Sequence, residues 1–166
     1  MDKFALLADL GVVTVPEEHQ LAAFRRENER FFWHYNEVIT DANFRHPTRI
    51  LKPGDRFRVQ AFRQIVSGVT ASEERIDFCR RQEGNAFIGA QGIPLVFSQK
   101  RDLLPRGLWY SSLDQREHLW KDAHGCYGVP NLVALRGGDW DFDLRCFERP
   151  RDDSYAFFAF RDLSGS

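Results

Sequence analysis

The chain has 166 residues, 23 basic against 24 acidic side chains and a formal net charge of −1. That length suffices for one hydrophobic core without staples, 43% hydrophobic residues exclude general disorder, and the balanced charge argues against a dedicated nucleic-acid binder. The unusual feature is aromatic content: 15 Phe, 4 Trp and 4 Tyr beside a single Met.

Taken in chain order, Asp2 is placed to cap a short helix through Leu10, with Phe4, Leu7 and Leu10 on one side and Gly11 as its stop. Thr14-Val-Pro-Glu17 has the form of a capping box with Pro in the first turn. Beyond it Leu21, Phe24, Phe31 or Phe32, Tyr35 and Val38 recur at helical spacing, opposite Arg25, Arg26, Glu27, Glu29 and Arg30. This predicts an amphipathic helix of about five turns, ending before His46-Pro47. Arg56 to Gln60 alternates with period two, the mark of a half-buried strand, and the slip at Ala61-Phe62 suggests a bulge. Thr70-Ala-Ser-Glu73 is a second capping box, opening a helix through Arg81.

Ala86 to Gly89 and Ile93 to Phe97 read as strands about a turn at Ala90-Gln91-Gly92. Leu108 to Ser111 follows as a strand, and Ser112-Leu-Asp-Gln115 as the start of a helix through Lys121. Asn131 to Arg136 and Asp139 to Glu148 flank Gly137-Gly138, a two-residue hairpin loop. That loop sets Arg136 opposite Asp139, Leu135 opposite Trp140 and Val133 opposite Phe142. Tyr155 to Arg161 returns as a further strand. The expected fold is α+β in one domain, residues 1–166. A mainly antiparallel sheet over 50–166 ends in the Gly-Gly hairpin or meander, and helices from a helical segment 1–45 pack on one face.

The hairpin register places Val133, Leu135, Trp140, Phe142, Leu144 and Cys146 on the core side. Asp139, Asp141 and Asp143 fall on the other, with Arg136 and Arg145. Three carboxylates spaced about 6.8 Å along one strand are candidate oxygen ligands for a metal. A row diverges rather than wrapping an ion, however, so a solvated face neutralised by Arg136 and Arg145 is expected. The cysteines, Cys79, Cys126 and Cys146, are odd in number and widely spaced, with no C-x-x-C. They read as free thiols of a reducing, cytoplasmic compartment. His118-x5-His124-x-Cys126 is an incomplete zinc pattern with Cys146 as the remaining thiol. His124 beside Cys126, with Asp122, is the candidate set for nucleophilic catalysis.

No G-x-S-x-G elbow, phosphate loop or dinucleotide fingerprint is present. The strand Gly107-Leu-Trp-Tyr-Ser-Ser running into a helix, with Glu148 late in the chain at a strand end, resembles the strand, helix and late glutamate of ADP-ribosyltransferases. The resemblance implies transferase chemistry; that family's opening His or Arg element has no counterpart.

From Arg45 to Arg63 the chain is locally basic (Arg45, His46, Arg49, Lys52, Arg56, Arg58, Arg63). Arg56 and Arg58 share one strand face and suit a carboxylate or phosphate. Three aromatic runs exceed what one core face needs: Phe31 to Tyr35 with Trp33, Trp109-Tyr110, and Tyr155 to Phe160 with Phe157. The expected function is a small soluble binding or interaction module with an aromatic-lined pocket or dimer interface. Arg56, Arg58, Trp109, Tyr110, Trp33 and Phe157 are its ligand-contacting residues. A homodimer is expected, with a small apolar or anionic ligand or a protein partner, no cofactor, no nucleic acid and no membrane span. The alternatives are a small Cys/His or transferase-like enzyme, and an inhibitor or immunity-type protein presenting Asp139, Asp141 and Asp143 to a basic partner.

Overall fold

The structure, a computed structural model, describes residues 2–135 and 137–164. It is an α+β fold built on an open, mostly antiparallel nine-stranded sheet. The strands are β1 (Phe4–Thr14), β2 (Phe32–Tyr35), β3 (Arg56–Gln64), β4 (Asn85–Ala86), β5 (Trp109–Ser112), β6 (Trp120–Lys121), β7 (Tyr127–Ala134), β8 (Trp140–Cys146) and β9 (Tyr155–Asp162). The helices are α1 (Leu21–Asn28), α2 (Ser72–Arg80) and α3 (Gly92–Lys100). The sheet order is β1-β3-β9-β5-β7-β8-β2, with β4 added to β9 and β6 to β7. Among the described residues only β5–β9 and β2–β8 are parallel pairs. Among the described residues no helix is long and apolar enough to cross a membrane.

Strand β9 is central, and its two faces meet different layers. Phe158 and Phe160 face the side where α3 and α1 pack; Phe158 stacks on Tyr110 at 5.4 Å. On that side Phe97 of α3 meets Phe24 of α1, Phe32 and Trp140. Phe157 points the other way, into a cluster with Phe4, Phe62 and Phe78 of α2 at ring separations of 5.2–6.0 Å. Helices therefore cover both faces, which explains why the β9 run is apolar at every position. It also explains Ala61 and Phe62. Strand β3 itself carries no extra residue there: it is regular against β9, with Ala61 facing one layer and Phe62 the other, and the irregularity lies on β1, where Leu7 is the extra residue between the partners of Phe62 and Ala61.

Several predicted elements are replaced. Residues 4–14 form the edge strand β1, not a helix. Two register shifts, at Leu6/Ala8 and Asp9/Gly11, break the period-two pattern. The buried positions become Phe4, Leu10 and Val13, a spacing that imitates a helix. The long helix after Pro16 shrinks to α1. Gln20 gives it no side-chain cap, and the Asp41 carboxylate accepts the Leu21 and Ala22 N–H groups instead, at 2.7 and 3.1 Å. The aromatic run Phe31 to Tyr35 then enters β2.

The predicted strand Ile93 to Phe97 is helix α3, buried through most of its circumference. A short apolar run cannot distinguish the two by periodicity. Pro94 sits in its first turn, where no N–H is needed. Gly92 is obligatory at its start, because a Cβ there would collide with Ser112 Oγ and lie 2.7 Å from the Phe160 ring. The predicted helix from Ser112 is only a single 3-10 turn at Arg116–His118.

The C-terminal hairpin forms, with a register displaced by one residue. Ala134 faces Trp140, Val133 faces Asp141 and Leu132 faces Phe142. Leu135 N–H bonds Asp139 O at 2.8 Å, so the connection holds three residues rather than two. On β8 the predicted alternation stands, but β7 presents Leu132 rather than Val133 beside Phe142. The expected partner of Asp139, Arg136, lies outside the described residues.

Candidate functional site

The hairpin brings together two cysteines that read as separate in the sequence. Gly128 pairs with Cys146, which puts Cys126 diagonally across the ladder. The Cα atoms are 5.5 Å apart and the sulfurs are joined as a disulfide. This corrects the expectation of free thiols at Cys126 and Cys146: wide sequence spacing conceals a contact that the strand register creates. Cys79 is the free, buried cysteine among the described residues, its thiol pushed up to about 12 by burial. Cys126, His124 and Asp122 are not arranged as a nucleophile, base and orienting acid. Cys126 carries no thiolate in this form, and Asp122 is committed to the loop backbone, accepting the His124 and Cys126 N–H groups at 2.8 and 2.9 Å. Those bonds hold the Asp122 carboxyl below its usual range.

The transferase resemblance loses its elements too. Among the described residues no α-helix follows β5. Ser111 and Ser112 are wholly buried, their hydroxyls donating to Asn131 Oδ1 (2.7 Å) and Gly89 O (2.6 Å). Glu148 lies beside Cys146.

The three hairpin carboxylates are not gathered. Asp139 is exposed in the turn. Asp143 accepts from Asn36 Nδ2 at 2.8 Å and lies 3.6 Å from His34. Asp141 pairs with His34 in the β2–β8 ladder and has a buried oxygen without a partner; burial raises its carboxyl above the usual range.

The predicted ligand contacts disperse as well. Tyr110 and Phe157 are wholly buried, on opposite faces of the sheet. Trp109 is half-buried, tilted on Tyr155 and covered by the Arg145 guanidinium at 4.1 Å. Trp33 stands 78% exposed on the edge strand β2. Arg58 pairs with Asp9 across β1–β3 at 2.6 Å, and Arg56 is exposed at the start of β3.

A different place is concave. At the carboxyl ends of the parallel strands β5 and β9, β5 stops and the short β4 takes over beside β9, pairing Asn85 with Arg161. The cleft there measures about 850 Å³ and is lined chiefly by Arg49, Arg80, Gln82, Asn85, Phe87 and Arg161, with Asp162. Its three guanidinium groups come from three elements: the 45–55 loop, the end of α2 and the end of β9.

Arg49 is committed to Asp162 and to Asp55 at 3.2 Å. Arg80 pairs with Asp77 and Arg161 with Glu83, at 2.9 and 3.3 Å, both in solvent-exposed geometry. Exposed pairs of that kind are worth about 0–1 kcal/mol, so both guanidiniums can be recruited at little cost. Asn85 Oδ1, also in the lining, is buried without a partner.

One wall is fixed from beneath by Asp114, 1% exposed at the end of β5. It accepts the Thr48 N–H (3.1 Å), the Thr48 hydroxyl (2.5 Å) and the Gln115 N–H (2.8 Å). Burial nonetheless raises its carboxyl above the usual range. Gln115 continues the chain, donating to Thr48 Oγ1 and accepting from Arg80 at 3.1 Å. The sequence showed Arg49 only as one member of a basic run whose expected contacts were Arg56 and Arg58, and it did not single out Arg80 or Arg161, which lie in other segments. Nothing local marks them: the β4–β9 pairing sets Arg161 beside Asn85, and the end of α2 delivers Arg80.

No family model matches the chain, and neither a curated protein nor a solved structure matches it. What the fold and site define is therefore an α+β chain with an arginine-lined cleft at one end of its sheet.

Proposed function

We propose that the protein is a binding module for an anionic ligand, a carboxylate or phosphate compound seated in the cleft by Arg80 and Arg161. The observation that carries this reading is the convergence of three guanidiniums on one cleft of about 850 Å³ whose lining holds a single acid, Asp162, already paired with Arg49. That volume falls within the range of small-molecule sites. Guanidinium forks suit planar oxyanions, Phe87 offers apolar contact, and Arg49 is held rigid by its two carboxylates.

A thermal-shift screen of small carboxylates and phosphates is the test. The wild-type melting temperature rises with at least one of them, and Arg80→Ala with Arg161→Ala removes the rise while keeping the unliganded melting temperature. A ligand-induced rise retained by the double variant overturns the reading.

A second reading, a homodimer, is supported by Trp33, which is 78% exposed on an edge strand. Sedimentation then gives a dimer for the wild type and a monomer for Trp33→Ala. A wild-type monomer across the concentration range contradicts it.

A further inference from the structure

We propose that the chain, once its Cys126–Cys146 bond is reduced, holds a thiophilic divalent metal ion, zinc in the first place, between Cys126, Cys146 and Glu148. Among the described residues these three place one ligand atom each within 4.8 Å of one another. No other group of three His, Cys, Asp or Glu side chains among those residues does so. The ligands come from neighbouring strands rather than from a sequence motif. Cys126 enters β7, Cys146 ends β8, and Glu148 follows two residues on.

The position of Glu148 is the observation a disulfide leaves unexplained. Its carboxylate lies 3.1 Å from Cys146 Sγ. A disulfide sulfur has no proton to give it, so in the oxidised form this contact yields no hydrogen bond. A metal ion bound to the same sulfur supplies the positive charge that the carboxylate meets.

The loop before Cys126 is already shaped. Asp122 accepts two of its N–H groups, Asp122 N–H bonds Cys126 O at 2.9 Å, and Gly125 takes φ +83° at the turn. A residue with a Cβ would be strained there. Two thiolates select zinc over magnesium or calcium, which prefer oxygen. The two cysteines are half-buried and Glu148 is exposed, so the fourth coordination position opens to solvent and is taken by water.

The chemistry balances simply. A dithiol reductant delivers two electrons and two protons to the disulfide and leaves as its own cyclic disulfide. The metal then displaces both thiol protons into solvent, and Glu148 adds its carboxylate.

The test is cobalt(II) titration of the full chain, reduced with a dithiol and desalted under argon, followed by absorption. One equivalent of cobalt binds with thiolate-to-metal charge-transfer and tetrahedral d–d bands, and zinc bleaches them. Air-oxidised protein shows neither band. Cys126→Ser and Cys146→Ser, each checked for native circular dichroism, abolish the signal. Glu148→Gln, a surface change, weakens binding by at least about tenfold. A reduced wild type without charge-transfer absorption, or a Glu148→Gln protein that titrates like the wild type, overturns the proposal.

Discussion

Arg75 has no exposed surface, yet every hydrogen bond it makes goes to a neutral acceptor: Thr70 Oγ1, Tyr155 O, Gln64 Oε1 and Asp152 O. The rings of Phe4 and Phe157 lie 5.6 and 5.3 Å from its guanidinium carbon. Burial, and then the nearby Arg151, bring its pKa down to about 10, still charged at neutral pH. The charge is thus solvated by carbonyl dipoles and π faces, and it ties α2 to the loop before β9. Arg75→Leu removes the donor these acceptors share. The expected loss is at least about 2 kcal/mol, read as a lower urea midpoint at unchanged slope.

Asp141 behaves in the opposite sense. Its carboxyl is raised by burial, so the folded pKa exceeds the unfolded one and folding takes up a proton. The stability it contributes is complete below the unfolded value and is lost as pH rises through the folded pKa. Asp141→Asn should therefore be more stable than the wild type at pH 7. The difference should close below the ordinary aspartate value of 3.8. Thermal melts across that range check the sign.

At the scale of elements, what the sequence declared depended on whether a local pattern was also the tertiary one. β3, α2, β5, β8 and β9 were legible because alternation, polar start residues or flanking turns coincided with burial, although the cap of α2 falls one residue later than the predicted Thr70…Glu73 box, with Glu74 accepting the Ala71 N–H at 2.8 Å. β1 was not, since two bulges reset its phase. α3 was not, since Ile93 to Phe97 is apolar whichever way it coils. The hairpin was legible as a hairpin but not in register, and one residue of slip decided which side of β7 joined Trp140 and Phe142. The same register sets Cys126 beside Cys146. Their bond spans a sequence separation of 20, and closing such a loop stabilises by about 3 kcal/mol on the chain-entropy account. Metal-free reduced protein should lose stability of that order in urea unfolding, and a Cys126→Ser/Cys146→Ser double variant should match it with or without reductant.

Across the whole molecule, the aromatic surplus is largely explained by a sheet covered on both faces. Phe157 and Phe158 fill separate layers, and Trp33 remains the one Trp in the open. The polar chemistry collects instead where β5 ends and β4 replaces it beside β9. Of that site the sequence showed only Arg49, as one member of a basic run whose expected contacts, Arg56 and Arg58, lie outside the cleft. Arg80 and Arg161 are 81 residues apart in the chain, one at the end of α2 and the other on β9, and only the tertiary fold brings them to one cleft. The most direct measurement is a backbone amide NMR titration with inorganic phosphate. Saturable shifts are expected at Gly84, Asn85 and Arg161, lost in Arg80→Ala/Arg161→Ala. Saturable shifts confined to another part of the sheet, or shifts at the cleft that persist in the double variant, would contradict the anion-binding role.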